Sequence, residues 1–135
     1  MHLPENWIAF VVAILLPMIV GSLWYGPIFG KIWMKMMDLT EEKIRENFNP
    51  VKSYGGSFVG SIFTAYVFSL LITEMDMDTL FGGLTIGFVA WLGFALTTGW
   101  QSVAWENKGN GVFLLNQAYN LIVYLLMGSI IGVWR

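Results

Sequence analysis

Four runs of this chain contain no Asp, Glu, Lys, Arg or His: residues 7–30, 53–73, 79–105 and 109–134. Each reaches or exceeds the roughly 20 residues that an α-helix needs to cross the hydrocarbon of a bilayer. A water-soluble fold does not hide so much apolar sequence. Of the 135 residues only 12% are charged, about half the ~25% usual in soluble domains. The expected object is an all-α membrane protein, a four-transmembrane-helix bundle with a short amphipathic surface helix in its first loop. It forms one integral membrane domain over residues 1–135, with spans near 7–29, 53–73, 80–102 and 112–134. The first span is expected to be retained, because residues 2–5 lack the positive start of a signal peptide and no small-residue cleavage site follows.

Charge then orients the bundle. Lys31, Lys35, Lys43, Arg45 and Lys52 lie between the first two runs and Lys108 between the last two, whereas Glu74, Asp76 and Asp78 make the second loop purely acidic. Loops rich in Lys and Arg stay cytoplasmic, so both termini are expected outside. The first loop also carries its own helix signals. Thr40 is placed to cap, Glu41 and Glu42 suit a helix N-terminus, Leu39 is placed to staple against Ile44, and Asn49-Pro50 is a stop. A surface helix over 41–48 is the expectation. Before it, Lys31 and Lys35 alternate with Ile32, Trp33, Met36 and Met37, which suits a segment lying at the headgroups.

Within the spans, aromatic rings mark the interfaces: Trp7 and the Trp24-Tyr25 pair in the first, Trp100 and Trp105 at the end of the third. Pro17 predicts a kink and Gly26-Pro27 a sharp bend. Three spans bear small residues four apart, which let helix backbones approach closely: Gly56 and Gly60, Gly83 and Gly87, Gly128 and Gly132. These are the candidate packing positions. They exceed what one bundle needs, so a homo-oligomer is expected.

No acid, base or histidine sits in any run, and there is no cysteine. Intramembrane charges usually mark ion paths or proton relays, so pumps, metal centres and carboxylate hydrolases are disfavoured, and no catalytic residue, metal ligand or cofactor is assigned. The interior instead holds a polar stripe in the fourth run: Asn116, Asn120 and Tyr124 recur every four residues, flanked by Gln117 and Tyr119. The stripe fits two roles. It supplies interhelical hydrogen bonds, or it lines a path for a ligand or water. Gln101, Thr97, Thr98, Thr64, Tyr66 and Tyr25 are the candidate partners, and Trp24 and Tyr25 join the ligand or path-lining candidates. Read as an interfacial anchor, Tyr25 is expected to tolerate change to Phe almost silently.

The run Trp24-Tyr25-Gly26-Pro27, followed by Phe29-Gly30-Lys31 and Trp33, resembles the hallmark of bacterial membrane proteins catalogued as domain of unknown function 1761. The likeness extends to Trp91-Leu92-Gly93-Phe94, and to Tyr119 and Leu121 followed by Gly128 and Gly132. The resemblance implies four spanning helices in a bacterial cytoplasmic membrane and no particular activity. The expected function is an oligomeric channel or transporter-like protein for a small solute. The alternatives are a membrane-embedded enzyme or lipid-binding protein, or an accessory subunit of a larger complex. Expected partners are the lipid bilayer, further copies of the chain and a small-molecule or lipid ligand, with no nucleic acid.

Because the chain lacks cysteine, single substitutions report topology directly. A membrane-impermeant maleimide added to intact cells should label Asp78→Cys at once and Lys35→Cys only after the membrane is opened. The reverse pattern would invert the orientation.

Overall fold

The computed structural model describes residues 7–38, 40, 42–43, 46, 49–105 and 109–134. Its helices, among the described residues, are α1 (Trp7–Leu23), α2 (Gly30–Met36), α3 (Pro50–Glu74), α4 (Leu80–Ala90), α5 (Thr97–Ala104) and α6 (Asn110–Val133). A kinked segment, Trp24–Ile28, joins α1 to α2, and a wide π-type segment, Trp91–Leu96, joins α4 to α5. Among the described residues four stretches are long and apolar enough to cross a membrane: Trp7–Ile28, Val51–Glu74, Leu80–Gln101 and Asn110–Val133. The protein is an all-α membrane protein with a four-helix bundle.

Local chemistry sets the ends of these helices. The Asn49 side chain accepts from the Lys52 amide at 3.2 Å with Pro50 in the first turn, so the Asn-Pro pair read as a stop also starts α3. Asp76 closes α3 from the left-handed region (φ 53°). There its amide donates to Thr73 O at 3.3 Å and the next amide, that of Met77, to Ile72 O at 2.9 Å, the paired bonds of a Schellman turn. The acidic second loop is therefore a helix stop. Thr79 then caps α4 through Gly82 N at 2.9 Å. In the first loop the Thr40 hydroxyl accepts from Lys43 N at 3.2 Å, while most of the expected surface helix over 41–48 lies outside the described residues.

The expected bend at Gly26-Pro27 is present: Gly26 leaves helical geometry (φ −110°, ψ −106°) and the chain turns into α2. Pro17 lies inside α1, which runs from Trp7 to Leu23.

The spans pack around α6, which touches α1, α3 and α4, most extensively α4. The α4–α6 contact is backbone against backbone. A Cβ added at Gly83 would collide with the Gly128 carbonyl, one at Gly128 with the Gly83 carbonyl, and one at Gly87 with the Tyr124 carbonyl. Gly132 is similarly closed off by Thr79 and Gly83. In a bilayer, where apolar burial alone does not drive helices together, such closeness gives dispersion contact along both backbones. Gly56 and Gly60 behave differently, because a Cβ at either would meet nothing within 4 Å. Among the described residues they pack against no other helix, and they face outward from α3.

The bundle has two unlike halves. Phe10, Ala13 and Ile14 of α1, Ala65, Phe68 and Ile72 of α3, Ile86 of α4, and Val123, Met127 and Ile131 of α6 form the apolar core. All lie toward the end that holds Trp7, the Asp76 turn and Val133. Ile72 and Met127 are fully buried there, so this terminal half is held by side-chain packing. The other half, next to α2 and the start of α6, is held by hydrogen bonds and opens into clefts.

Replacing Gly83 or Gly128 by Val should therefore cost roughly 1–3 kcal/mol or more, as overpacking does, read as a lower melting temperature in detergent. Gly56→Val should leave the melting of the isolated chain nearly unchanged.

Candidate functional site

The polar residues of α6 divide between two neighbours. A helix turns once per 3.6 residues, so each four-residue step over-rotates by about 40°. Across Asn116, Asn120 and Tyr124 that drift takes the stripe from one helix contact to another. Asn116 faces α1 and accepts the Tyr25 hydroxyl at 2.6 Å. Asn120 and Tyr124 line the side toward the α4–α5 span instead, and the Tyr124 ring also meets Phe68 of α3 edge to face at 5.3 Å.

The junction with α1 is a lock. Besides the Tyr25–Asn116 bond, Trp24 Nε1 donates to Leu115 O at 3.2 Å and the Tyr119 hydroxyl to Pro17 O at 2.7 Å. The Tyr25 and Tyr119 rings meet edge to face with centroids 5.3 Å apart, and Tyr25 meets Trp33 at 5.4 Å. Gly21 makes room, because a Cβ there would stand 3.2 Å from the Tyr119 hydroxyl. Beside this lock a cleft of about 330 Å³ opens between α1 and α3, lined among others by Ser22, Tyr25, Ser53, Ser57 and Tyr119. Its Tyr25 and Tyr119 protons are already committed inward, as is that of Ser22, which donates to Met18 O at 2.8 Å.

A second recess lies on the other side of α6. It measures about 480 Å³ and is lined by Phe94, Ala95, Thr98, Gly99, Gln117, Asn120 and Tyr124. No lining residue is charged. Two contacts shape it. Trp91 Nε1 donates to the Gln117 carbonyl at 2.9 Å, and Gly99 lets the Gln117 amide nitrogen lie against α5, where a Cβ would collide with it. The π-type segment Trp91–Leu96 borders the recess, and the Thr97 hydroxyl donates to Gly93 O at 2.8 Å. Wide turns of this kind recur at functional sites. Gln117 is 6% exposed, and its Oε1 is buried with no hydrogen-bond partner. An orphan acceptor of this kind costs about 1–3 kcal/mol.

The remaining candidates scatter. Gln101 is exposed at the end of the third span. The Thr97 and Thr64 hydroxyls turn back onto their own helices at Gly93 O and Gly60 O. Tyr66 packs against the apolar core. The Tyr119–Pro17 bond, the Trp91–Gln117 bond and the Gly99 cradle were not anticipated. A signal existed for one of them, since an indole N–H inside hydrocarbon needs an acceptor. Among the described residues no group of acids and histidines is placed to hold a metal ion.

A family model described as protein of unknown function (DUF1761) matches residues 8–132. The chain belongs to that family. No curated protein and no solved structure matches it. Membership covers all four spans, the α1–α6 lock and the recess alike.

The Tyr25 hydroxyl has a short, half-buried partner, so Tyr25→Phe is not expected to be silent. It should lower stability by about 0.6–1.7 kcal/mol, the range for hydrogen bonds between membrane helices. A double-mutant cycle with Asn116→Leu, read by thermal or denaturant unfolding in detergent, should return a coupling of that size.

Proposed function

We propose that this protein binds a small, uncharged, hydrogen-bonding solute in the recess between the α4–α5 span and α6, and serves its movement in the membrane as a homo-oligomer. The observation that carries this is the uncharged polar lining of an open cavity at membrane depth: Thr98, Gln117, Asn120 and Tyr124, with the Gln117 acceptor unsatisfied. A polar surface in hydrocarbon is costly unless it is filled or paired. Passive handling of a neutral solute also suits spans without acid, base or histidine.

The packed terminal half bears on how movement would occur. Ile72 and Met127 fill the centre of the single bundle there, so a path between copies suits movement better than one through the middle of a single chain. The outward-facing Gly56 and Gly60 of α3 offer a surface on which a second copy could approach closely. An enzyme is less well supported, since the tyrosines of the α1–α6 lock already spend their protons on structural bonds.

Mass spectrometry of the gently purified protein should find a neutral small molecule retained by the wild type. The Gln117→Leu/Asn120→Leu double variant should lose it while melting at or above the wild-type temperature. Light scattering should give a mass above one protomer. Retention unchanged by the double variant would move the site elsewhere.

A further inference from the structure

The recess does not stand alone. Phe94 and Tyr124 line it on one side, and on the other they line a second cleft of about 240 Å³ between α3 and α4. That cleft is apolar, walled by Phe63, Val67, Phe68, Leu71 and Ala90. The two cavities share a wall at two rings and differ sharply in chemistry, polar under α6 and hydrocarbon-like beside α3. The π-type segment Trp91–Leu96 runs along the junction, and Phe94 within it is 72% exposed. Both openings lie on the side of the bundle, at membrane depth.

We infer that the ligand is a bilayer-resident amphiphile with an uncharged head that carries a hydroxyl donor. Its head lies against Gln117 in the recess, and its apolar chain passes Phe94 and Tyr124 into the cleft between α3 and α4. This rests on the recess being the binding site and names the chemical class it takes. The head must bring a donor, because the buried Gln117 Oε1 offers lone pairs and has no partner. It must be neutral, because no lining residue of either cavity carries a charge to compensate one. The tail follows from the second cleft, where only the Thr64 and Tyr124 hydroxyls are polar, and the Thr64 proton is already given to Gly60 O at 3.0 Å. A lateral opening lets such a molecule enter from the bilayer without crossing water.

The experiment uses the full chain in detergent and three probes: a tritiated long-chain alkanol, its methyl ether, and propylene glycol, which has the hydroxyls without the chain. The alkanol should bind saturably and about tenfold more tightly than the ether, as one added hydrogen bond to a buried acceptor predicts. Excess phosphatidylcholine should not displace it. Gln117→Leu should abolish the preference for the alkanol over the ether. If that variant does not fold, Gln117→Met, of similar volume, takes its place. Ala90→Phe, which fills the apolar cleft, should weaken alkanol binding about tenfold or more and leave propylene glycol binding unchanged. Propylene glycol binding as tightly as the alkanol, with Ala90→Phe without effect, would overturn the amphiphile and leave the recess as a solute site. An ether equal to or better than the alkanol would overturn the hydroxyl donor. Displacement by phosphatidylcholine would reduce the cleft to ordinary lipid contact. Failure of all three probes to bind saturably would remove the recess as a site altogether.

Discussion

The close approach of α4 and α6, backbone on backbone at Gly83, Gly87 and Gly128, is the contact from which the rest of the arrangement follows. With water absent, burial of apolar side chains gives little net drive between helices, so dispersion along closely fitted backbones must supply it. Joining these two helices fixes the rotation of α6. Its opposite side then meets α1 and α3, and the polar residues of its first half are shared between α1 and the α4–α5 span. The third span stays close to α6 only as far as the glycines continue. Beyond Ala90 it enters the wide segment Trp91–Leu96, and the recess opens where that close packing stops.

Two different devices therefore hold the two halves of the bundle. The terminal half is dense and apolar, centred on Ile72 and Met127. The other half relies on directed bonds from Trp24, Tyr25, Trp91 and Tyr119 to acceptors on α1 and α6. Hydrogen bonds constrain orientation at a few points and tolerate space between them, whereas side-chain packing does not. The two polar-lined cavities are found where bonds do the holding, whereas the cleft beside Phe68 and Leu71 is apolar.

The Trp24-Tyr25-Gly26-Pro27 run gains a physical role from this. Trp24 and Tyr25 reach across to α6 at Leu115 and Asn116, and Gly26 then turns the chain away into α2. Anchor and bend are adjacent because the helix must end where it is tied. The lock also spends Asn116, whereas Gln117 and Asn120 line the recess on the other side of α6.

Much was legible in the sequence alone. Span number and class followed from uncharged length, since hydrocarbon thickness sets a minimum that composition cannot evade. The Gly26-Pro27 bend and the close packing at Gly83 and Gly128 were equally readable, because each depends on what glycine and proline permit locally. What sequence spacing could not assign was which neighbour each α6 residue meets. Asn116, Asn120 and Tyr124 read as one face, yet accumulated helical rotation and the α4–α6 contact send the first to Tyr25 and the others to the recess. Gly56 and Gly60 carry the same signature as Gly83 and Gly87, and only the assembled bundle shows that one pair touches a helix and the other faces outward. Local rules determine what a helix is able to touch. The rotation and placement of whole helices, set by every contact at once, decide what it does touch.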